Sequence, residues 1–196
     1  MPQFETRHTL IYRAKNLNDE DAWRDISDYY RGFVYSILKK MMVNEGALDD
    51  LNQEVLISLM SKLKQYDQSK GKFRSWLGKL VANQVKNYFR SNASETRKRN
   101  IYAEDLLSEE LQNQDNLNVL IEKEWSDYIT QKALDEIRES FKGKALDVFT
   151  LSLAGRSVVE IEQLTQLKPS SIYTLRNRVK AAMVSTIKRI IDDYEL

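Results

Sequence analysis

The chain has no cysteine, one histidine (His8) and two prolines (Pro2 and Pro169) in 196 residues. Without thiols there is no disulfide framework and no Cys/His zinc site, and the single histidine stands too near a terminus to anchor a Ser-His-Asp arrangement. No metal or cofactor set is therefore expected. No apolar run reaches the length of a membrane span, and Met1-Pro2-Gln3-Phe4-Glu5 lacks the charged-then-apolar order of a signal peptide. A cytoplasmic protein without membrane insertion is expected. The scarcity of proline leaves long helices uninterrupted. Apolar residues recur at helical spacing almost everywhere and no alternating strand pattern emerges, which predicts an all-α fold of two small helical domains joined by an acidic linker.

The near-neutral total conceals segregation of charge. Residues 70–99 carry nine lysines and arginines against Glu95 alone, residues 101–141 carry eleven acids against three bases, and residues 142–189 return to nine bases against three acids. A basic, acidic, basic order fits two modules that face nucleic acid, separated by a stretch that nucleic acid repels. No carboxylate cluster stands beside a plausible nucleophile or metal site, so no enzyme activity is expected.

Between Tyr66 and Arg99 aromatic residues alternate with cations. At 100° per residue Phe73, Leu77, Val81, Val85, Tyr88 and Phe89 share one side of a helix, while Trp76, Lys79, Asn83, Lys86, Asn87 and Arg90 share the other. An indole on a cationic face provides a stacking surface beside phosphate attraction, as single-stranded bases require. Two readings of Trp76 stay open, a stacking platform or a core residue beside a solvated face. Upstream, Leu10, Ile11, Ala14 and Leu17, then Trp23, Ile26, Tyr30, Phe33, Val34, Ile37 and Leu38, read as core, with Asn18-Asp19-Glu20-Asp21 opening the second helix. The helix from Leu48 to Leu63 sets Leu48, Leu51, Val55, Leu59 and Leu63 on one stripe. Its other face gathers Asp49, Asp50, Gln53 and Glu54 with Ile57 and Met60 among them. Either this face meets a basic, partly apolar protein partner, or it is solvated with two stray apolar residues.

Residues 91–118 are polar and read as linker. Trp125, Ile129, Ala133, Leu134, Ile137 and Phe141 resume a core pattern, and Leu146, Phe149, Leu151 and Leu153 continue it up to Gly155, which ends a helix. Ser157-Val-Val-Glu160 is a capping-box pattern, opening a short helix through Ile161 to Leu164. A break over Thr165–Lys168 and a restart at Pro169 complete either a helix-turn-helix or a plain helical hairpin. On the last helix Ile172, Leu175, Val179 and Met183 face inward, leaving Tyr173, Thr174, Asn177, Arg178 and Ala181 outward, with Arg176 at the edge of the stripe.

Taken in order, Ala22-Trp23, Tyr29-Tyr30, Leu48-Asp-Asp-Leu-Asn-Gln-Glu-Val55, Tyr66-Asp67 and Gly71-Lys-Phe-Arg-Ser-Trp-Leu77, with Asn83 and Arg90, resemble region two of the sigma subunits of bacterial RNA polymerase, the small extracytoplasmic-function (ECF) type. Glu160-Ile161 and Ser171-Ile-Tyr-Thr-Leu-Arg-Asn-Arg-Val179 resemble region four. The resemblance implies a region-two domain over 1–95, a linker over 96–120 and a region-four helix-turn-helix domain over 121–196. It implies that Asp49, Asp50, Gln53, Glu54 and Ile57 bind core RNA polymerase. Tyr66, Asp67, Gln68, Ser69, Lys70, Lys72, Trp76, Lys79, Asn83, Lys86, Asn87 and Arg90 would hold the promoter minus-ten element. Lys168, Ser170, Ser171, Tyr173, Thr174, Asn177, Arg178 and Lys180 would read the minus-thirty-five element. Gln166 stands where the family's turn usually has glycine, Glu162 where it usually has alanine, and Lys168 where it usually has a capping serine or threonine. Family members are often held by an anti-sigma factor, which nothing in this sequence identifies. The alternatives are a helix-turn-helix regulator that is not a polymerase subunit and a helical adaptor that binds proteins.

Overall fold

The computed structural model describes residues 7–16, 18–92 and 114–194, and among these all regular structure is helical. The α-helices are α1 (Arg7–Ala14), α2 (Glu20–Lys40), α3 (Leu48–Lys62), α4 (Phe73–Asn92), α5 (Gln114–Ser140), α6 (Lys144–Leu153), α7 (Val158–Thr165) and α8 (Pro169–Tyr194). The chain divides into two bodies, one running to Tyr128 and one of Ile129–Asp193, so the boundary falls within α5.

In the first body α2 opens where the sequence signals it. Asp19 caps the helix by accepting the Ala22 N–H at 3.0 Å, and the Arg13 guanidinium forks onto the same carboxylate at 2.8 and 2.9 Å. That hydrogen-bonded fork, with the cap, holds the Asp19 carboxyl below the usual carboxylate range. Trp23, Ile26, Tyr30, Phe33, Val34, Ile37 and Leu38 are buried at the three- and four-residue spacing that gives α2 one apolar stripe. On α3 the stripe Leu48, Leu51, Val55, Leu59 is buried, continued by Leu63 in a single 3-10 turn. Buried Asn52 donates its amide to the Arg31 carbonyl at 3.2 Å and so ties α3 to α2. Leu17, expected in the core, lies outside the described residues.

The back of α4 is packed by the start of α5, which the expected linker over 96–120 did not anticipate. Residues 96–113 lie outside the described residues, but Gln114–Leu120 are helix. The cause is a narrow stripe, Leu117, Ile121 and Trp125, all buried, that the flanking glutamines and asparagines obscure in the sequence. Two glycines make room for it. A Cβ on Gly78 would lie 2.2 Å from Ile121 Cδ1, and one on Gly32 would lie 2.9 Å from the Tyr128 hydroxyl. Arg74, 7% exposed, forks onto Glu122 at 2.7 and 2.9 Å while its guanidinium lies 5.6 Å from the Trp125 ring, and Trp125 meets Phe33 edge-on at 4.9 Å.

The second body centres on Val148, Ile161 and Ile172, one from each of α6, α7 and α8, with Leu151, Val158, Leu167 and Leu175 packed around them. Helix α6 closes on a Schellman pair, Arg156 N–H to the Leu151 carbonyl at 3.0 Å and Gly155 N–H to the Ser152 carbonyl at 3.1 Å. Gly155 takes the φ of +78° that this turn needs.

Gly78→Val is expected to cost the first body about 1–3 kcal/mol by overpacking against Ile121, read as a lower urea midpoint. Gly46→Ala, whose added Cβ meets only Asn44 Oδ1 at 3.7 Å, should leave that midpoint unchanged.

Candidate nucleic-acid interface

Helix α4 has two opposed faces. Phe73, Leu77, Val81 and Val85 are buried on one side; Lys79, Asn83, Asn87 and Arg90 are exposed on the other, with Trp76 and Lys86 half-buried. The Trp76 ring rests on Tyr66 (5.5 Å between centroids) and on Phe73 (5.6 Å, 32° between planes), so its back is braced while the residue remains partly open to solvent. It is thus neither a core tryptophan nor a free one. A ring held in this way loses little freedom when a base stacks on it.

The preceding loop is built, not slack. Asp67 accepts the Ser69 N–H at 3.0 Å and the Ser69 hydroxyl at 2.7 Å, with Lys70 Nζ 3.6 Å away, and these bonds from Ser69 hold its carboxyl below the ordinary value. Gln68, Ser69, Lys70 and Lys72 are exposed. Tyr66 departs from its expected place among the nucleic-acid contacts. It is 5% exposed, its hydroxyl donates to the Gly71 carbonyl at 3.1 Å, its ring packs edge-on to Phe73 at 5.1 Å, and burial raises its pKa. Its ring is covered by its neighbours in this structure. Instead it pins both ends of the loop, since Lys15 Nζ also donates to its carbonyl at 2.9 Å. Lys15 and Arg74 are the supporting residues that sequence reading missed, because their partners lie 51 and 48 residues away.

On α3, Asp49, Asp50, Gln53 and Glu54 are exposed, with Ile57 at 65% and Met60 at 40%. Asp50 and Glu54 also line a groove of about 400 Å³ whose opposite wall holds Asn87 and Ser91 of α4. The acidic face of α3 therefore meets the exposed face of α4 at Asn87.

In the second body Ser157 and Glu160 form the expected capping box. The Glu160 carboxylate accepts the Ser157 N–H at 2.8 Å, Ser157 Oγ accepts the Glu160 N–H at 3.3 Å, and Arg156 reaches Glu160 at 3.0 Å. Helix α7 runs one residue further than expected, through Thr165. The turn that follows uses Gln166 in the left-handed region (φ 57°, ψ 29°). A non-glycine residue there costs roughly 1–2 kcal/mol. The turn is held by the Gln166 N–H on the Glu162 carbonyl at 2.8 Å and by its side-chain amide on the Gln163 carbonyl at 3.0 Å. Ile172, Val179 and Met183 are buried on α8, while Lys168, Ser170, Ser171, Tyr173, Thr174, Asn177, Arg178, Lys180 and Ala181 are exposed. Arg176 lies over the Tyr173 ring at 5.0 Å and Arg178 over Phe141 at 5.6 Å. The Thr174 hydroxyl donates to the Ser170 carbonyl at 2.9 Å, which leaves it an acceptor.

Residues 26–95, which span the end of the first helical stripe, the acidic helix, the loop and α4, match the family described as sigma-70 region 2. The similarity to sigma-70 region 2 thus falls within the first body. Over 65 residues the chain is also 31% identical to the ECF RNA polymerase sigma factor SigW of Bacillus subtilis (strain 168), an alignment covering 33% of this chain and about a third (34%) of that relative's length. Among the described residues no helix is long and apolar enough to cross a membrane.

The bonds from Ser157 and Arg156 bring the Glu160 carboxyl down from 4.5 to about 2. A depressed carboxyl stabilises the fold above its unfolded value and loses that contribution as pH falls through its folded one. The second body should therefore lose stability as pH falls from about 5 toward 2, and Glu160→Gln should flatten that part of the profile in acid titrations followed by circular dichroism.

Proposed function

We propose that the chain is an ECF-type sigma factor that binds core RNA polymerase, recognises minus-ten and minus-thirty-five promoter elements and promotes strand opening, with no catalysis of its own. The observation that supports this reading most is the juxtaposition within the matched domain. A braced, half-open tryptophan stands at the head of a cationic face on α4, and an exposed acidic face with apolar residues lies on α3, the two meeting at Asn87 in one groove. A regulator that only bound duplex DNA would use neither.

In this reading Asp49, Asp50, Gln53, Glu54 and Ile57 of α3 receive a basic, partly apolar surface of the polymerase. The exposed loop residues Gln68, Ser69, Lys70 and Lys72 meet a base extruded from the minus-ten element, which costs a few kcal/mol to unstack and is repaid by the pocket and by stacking. Trp76 covers the last paired step, and Lys79, Asn83, Lys86, Asn87 and Arg90 hold the backbone. Tyr66 and Asp67 act behind that surface by fixing the loop. On α8, Asn177 and Arg178 are placed for base edges, with Lys168, Ser170, Ser171, Tyr173, Thr174 and Lys180 around them for phosphates and groove walls. Arg178 would leave Phe141 to reach a base, trading a cation–π contact for a bidentate one.

Two outcomes test this. Trp76→Ala should leave binding of closed promoter duplex by the holoenzyme within about twofold yet lower strand opening, seen by permanganate reactivity, by at least tenfold, as loss of about 1–3 kcal/mol of stacking requires; equal loss in both assays refutes the role. Replacing Asp50 and Glu54 together by lysine should abolish co-purification with core polymerase while leaving the melting temperature of the free chain unchanged, and intact co-purification refutes the assignment of α3.

A further inference from the structure

Helix α1 reaches the loop before α4 through one side chain. Lys15 immediately follows α1 and is half-buried; its Nζ donates to the Tyr66 carbonyl at 2.9 Å and lies 6.0 Å from the centre of the Tyr66 ring. The root of this lysine is fixed as well. Its backbone N–H donates to the Ile11 carbonyl at 3.1 Å, Leu10, Ile11 and Ala14 seat α1 in the core, and Arg13 forks onto the carboxylate that caps α2. A long lysine stem is costly to order, so one held at both ends is a built contact.

The ammonium holds the last carbonyl before the chain turns. Tyr66 is extended (φ −67°, ψ 124°) and Asp67 continues extended (φ −121°, ψ 112°) into the single 3-10 turn Gln68–Lys70. Because the peptide between Tyr66 and Asp67 is planar, fixing its oxygen fixes the whole plane, and with it the direction in which the chain enters that turn. The turn is organised from the same point, since the Asp67 carboxylate accepts the N–H and the hydroxyl of Ser69. Lys15 therefore acts on the exposed Gln68, Ser69, Lys70 and Lys72 through the backbone that carries them.

We infer that Lys15 is a positioning residue for minus-ten recognition: by anchoring the peptide between Tyr66 and Asp67 it sets the register of the loop that receives the extruded base, and so governs which base is accepted there. This rests on the sigma-factor reading. It goes beyond the family match, because Lys15 lies outside residues 26–95. A contact that tells bases apart needs donors and acceptors in one geometry, whereas attraction to phosphate tolerates displacement. Loss of the anchor thus blunts base choice before it weakens attachment.

The test is selection by holoenzyme from a promoter-length DNA pool randomised at both elements, with enrichment counted by sequencing. Lys15→Met keeps the apolar stem beside the Tyr66 ring and removes the donor, while Lys15→Arg keeps a donor. Lys15→Met is expected to flatten the base preference at one minus-ten position by about fivefold or more, the lower end of what one good base-edge contact discriminates. Preferences at the minus-thirty-five element should stay unchanged, and Lys15→Arg should retain the minus-ten preference. An unchanged minus-ten preference overturns the role, as does a flattening that Lys15→Arg shares. Equal loss at both elements makes Lys15 a general support of the fold and overturns it too. Failure of the unsubstituted chain to select any sequence with core polymerase overturns the sigma-factor reading, and this role with it. On the unsubstituted chain alone, reductive methylation read by peptide mass spectrometry should label Lys15 at least fivefold more slowly than Lys70, whose side chain is 81% exposed. Equal rates overturn the anchor.

Discussion

Helix α4 depends on one buried cation. Arg74 follows Phe73 at the start of the helix, and its guanidinium is taken almost wholly out of water. A charge so placed must find a carboxylate, since an unpaired one costs about 1–3 kcal/mol or more. Glu122 supplies it through a two-pronged bond, and the same pairing holds the Glu122 carboxyl below its usual range. The pair acts with the buried stripe Phe73, Leu77, Val81 and Val85 to hold the rotation of α4 about its own axis. With Arg74 directed to the back, Trp76 and Lys79 are directed to the front, so a structural ion pair on one side sets which residues the other side presents.

The aromatic cluster completes that arrangement. Phe73 meets Tyr30 at 4.9 Å, Tyr66 at 5.1 Å and Trp76 at 5.6 Å, joining α2, the loop and α4 through one ring. Edge-on and offset contacts of this kind add about 0.5–1.5 kcal/mol each beyond the area they bury. Their larger effect is on placement: Tyr66 fixes the loop backbone through the Gly71 carbonyl, and the loop fixes the side chains it exposes. Side chains that must meet a ligand in one geometry are best built on such a rigid support.

Much of this was legible in the sequence where the information is local. The stripes of α2, α3 and α4, the cap at Asp19, the capping box at Ser157 and the break before Pro169 all follow from spacing and side-chain type within a few residues. The burial of Tyr66 was not legible, because an aromatic residue beside Asp67 and Lys70 reads as surface, and only the return of the chain at Gly71 shows that it is covered. The start of α5 was misplaced for a subtler reason. Its partners are Gly32 and Gly78, whose contribution is an absent side chain, and a vacancy has no periodicity to read. Arg74 in turn stood in a run of cations where nothing local distinguishes the buried one from the exposed ones.

The acidic tract of residues 101–141 also changes meaning once its members are placed. A uniform polyanion would repel nucleic acid along its whole length, and that is how its composition reads. Yet Glu122 and Glu124 face Arg74 and Lys40 within the first body, while Asp135 pairs with Arg138 and Glu136 with Arg189 within the second. These carboxylates offset cations of their own body and contribute little field at a distance, because opposite charges a few ångströms apart are nearly neutral beyond a Debye length of about 8–10 Å. Glu122 and Glu124 thus count toward the fold of the first body and not toward the field of the tract.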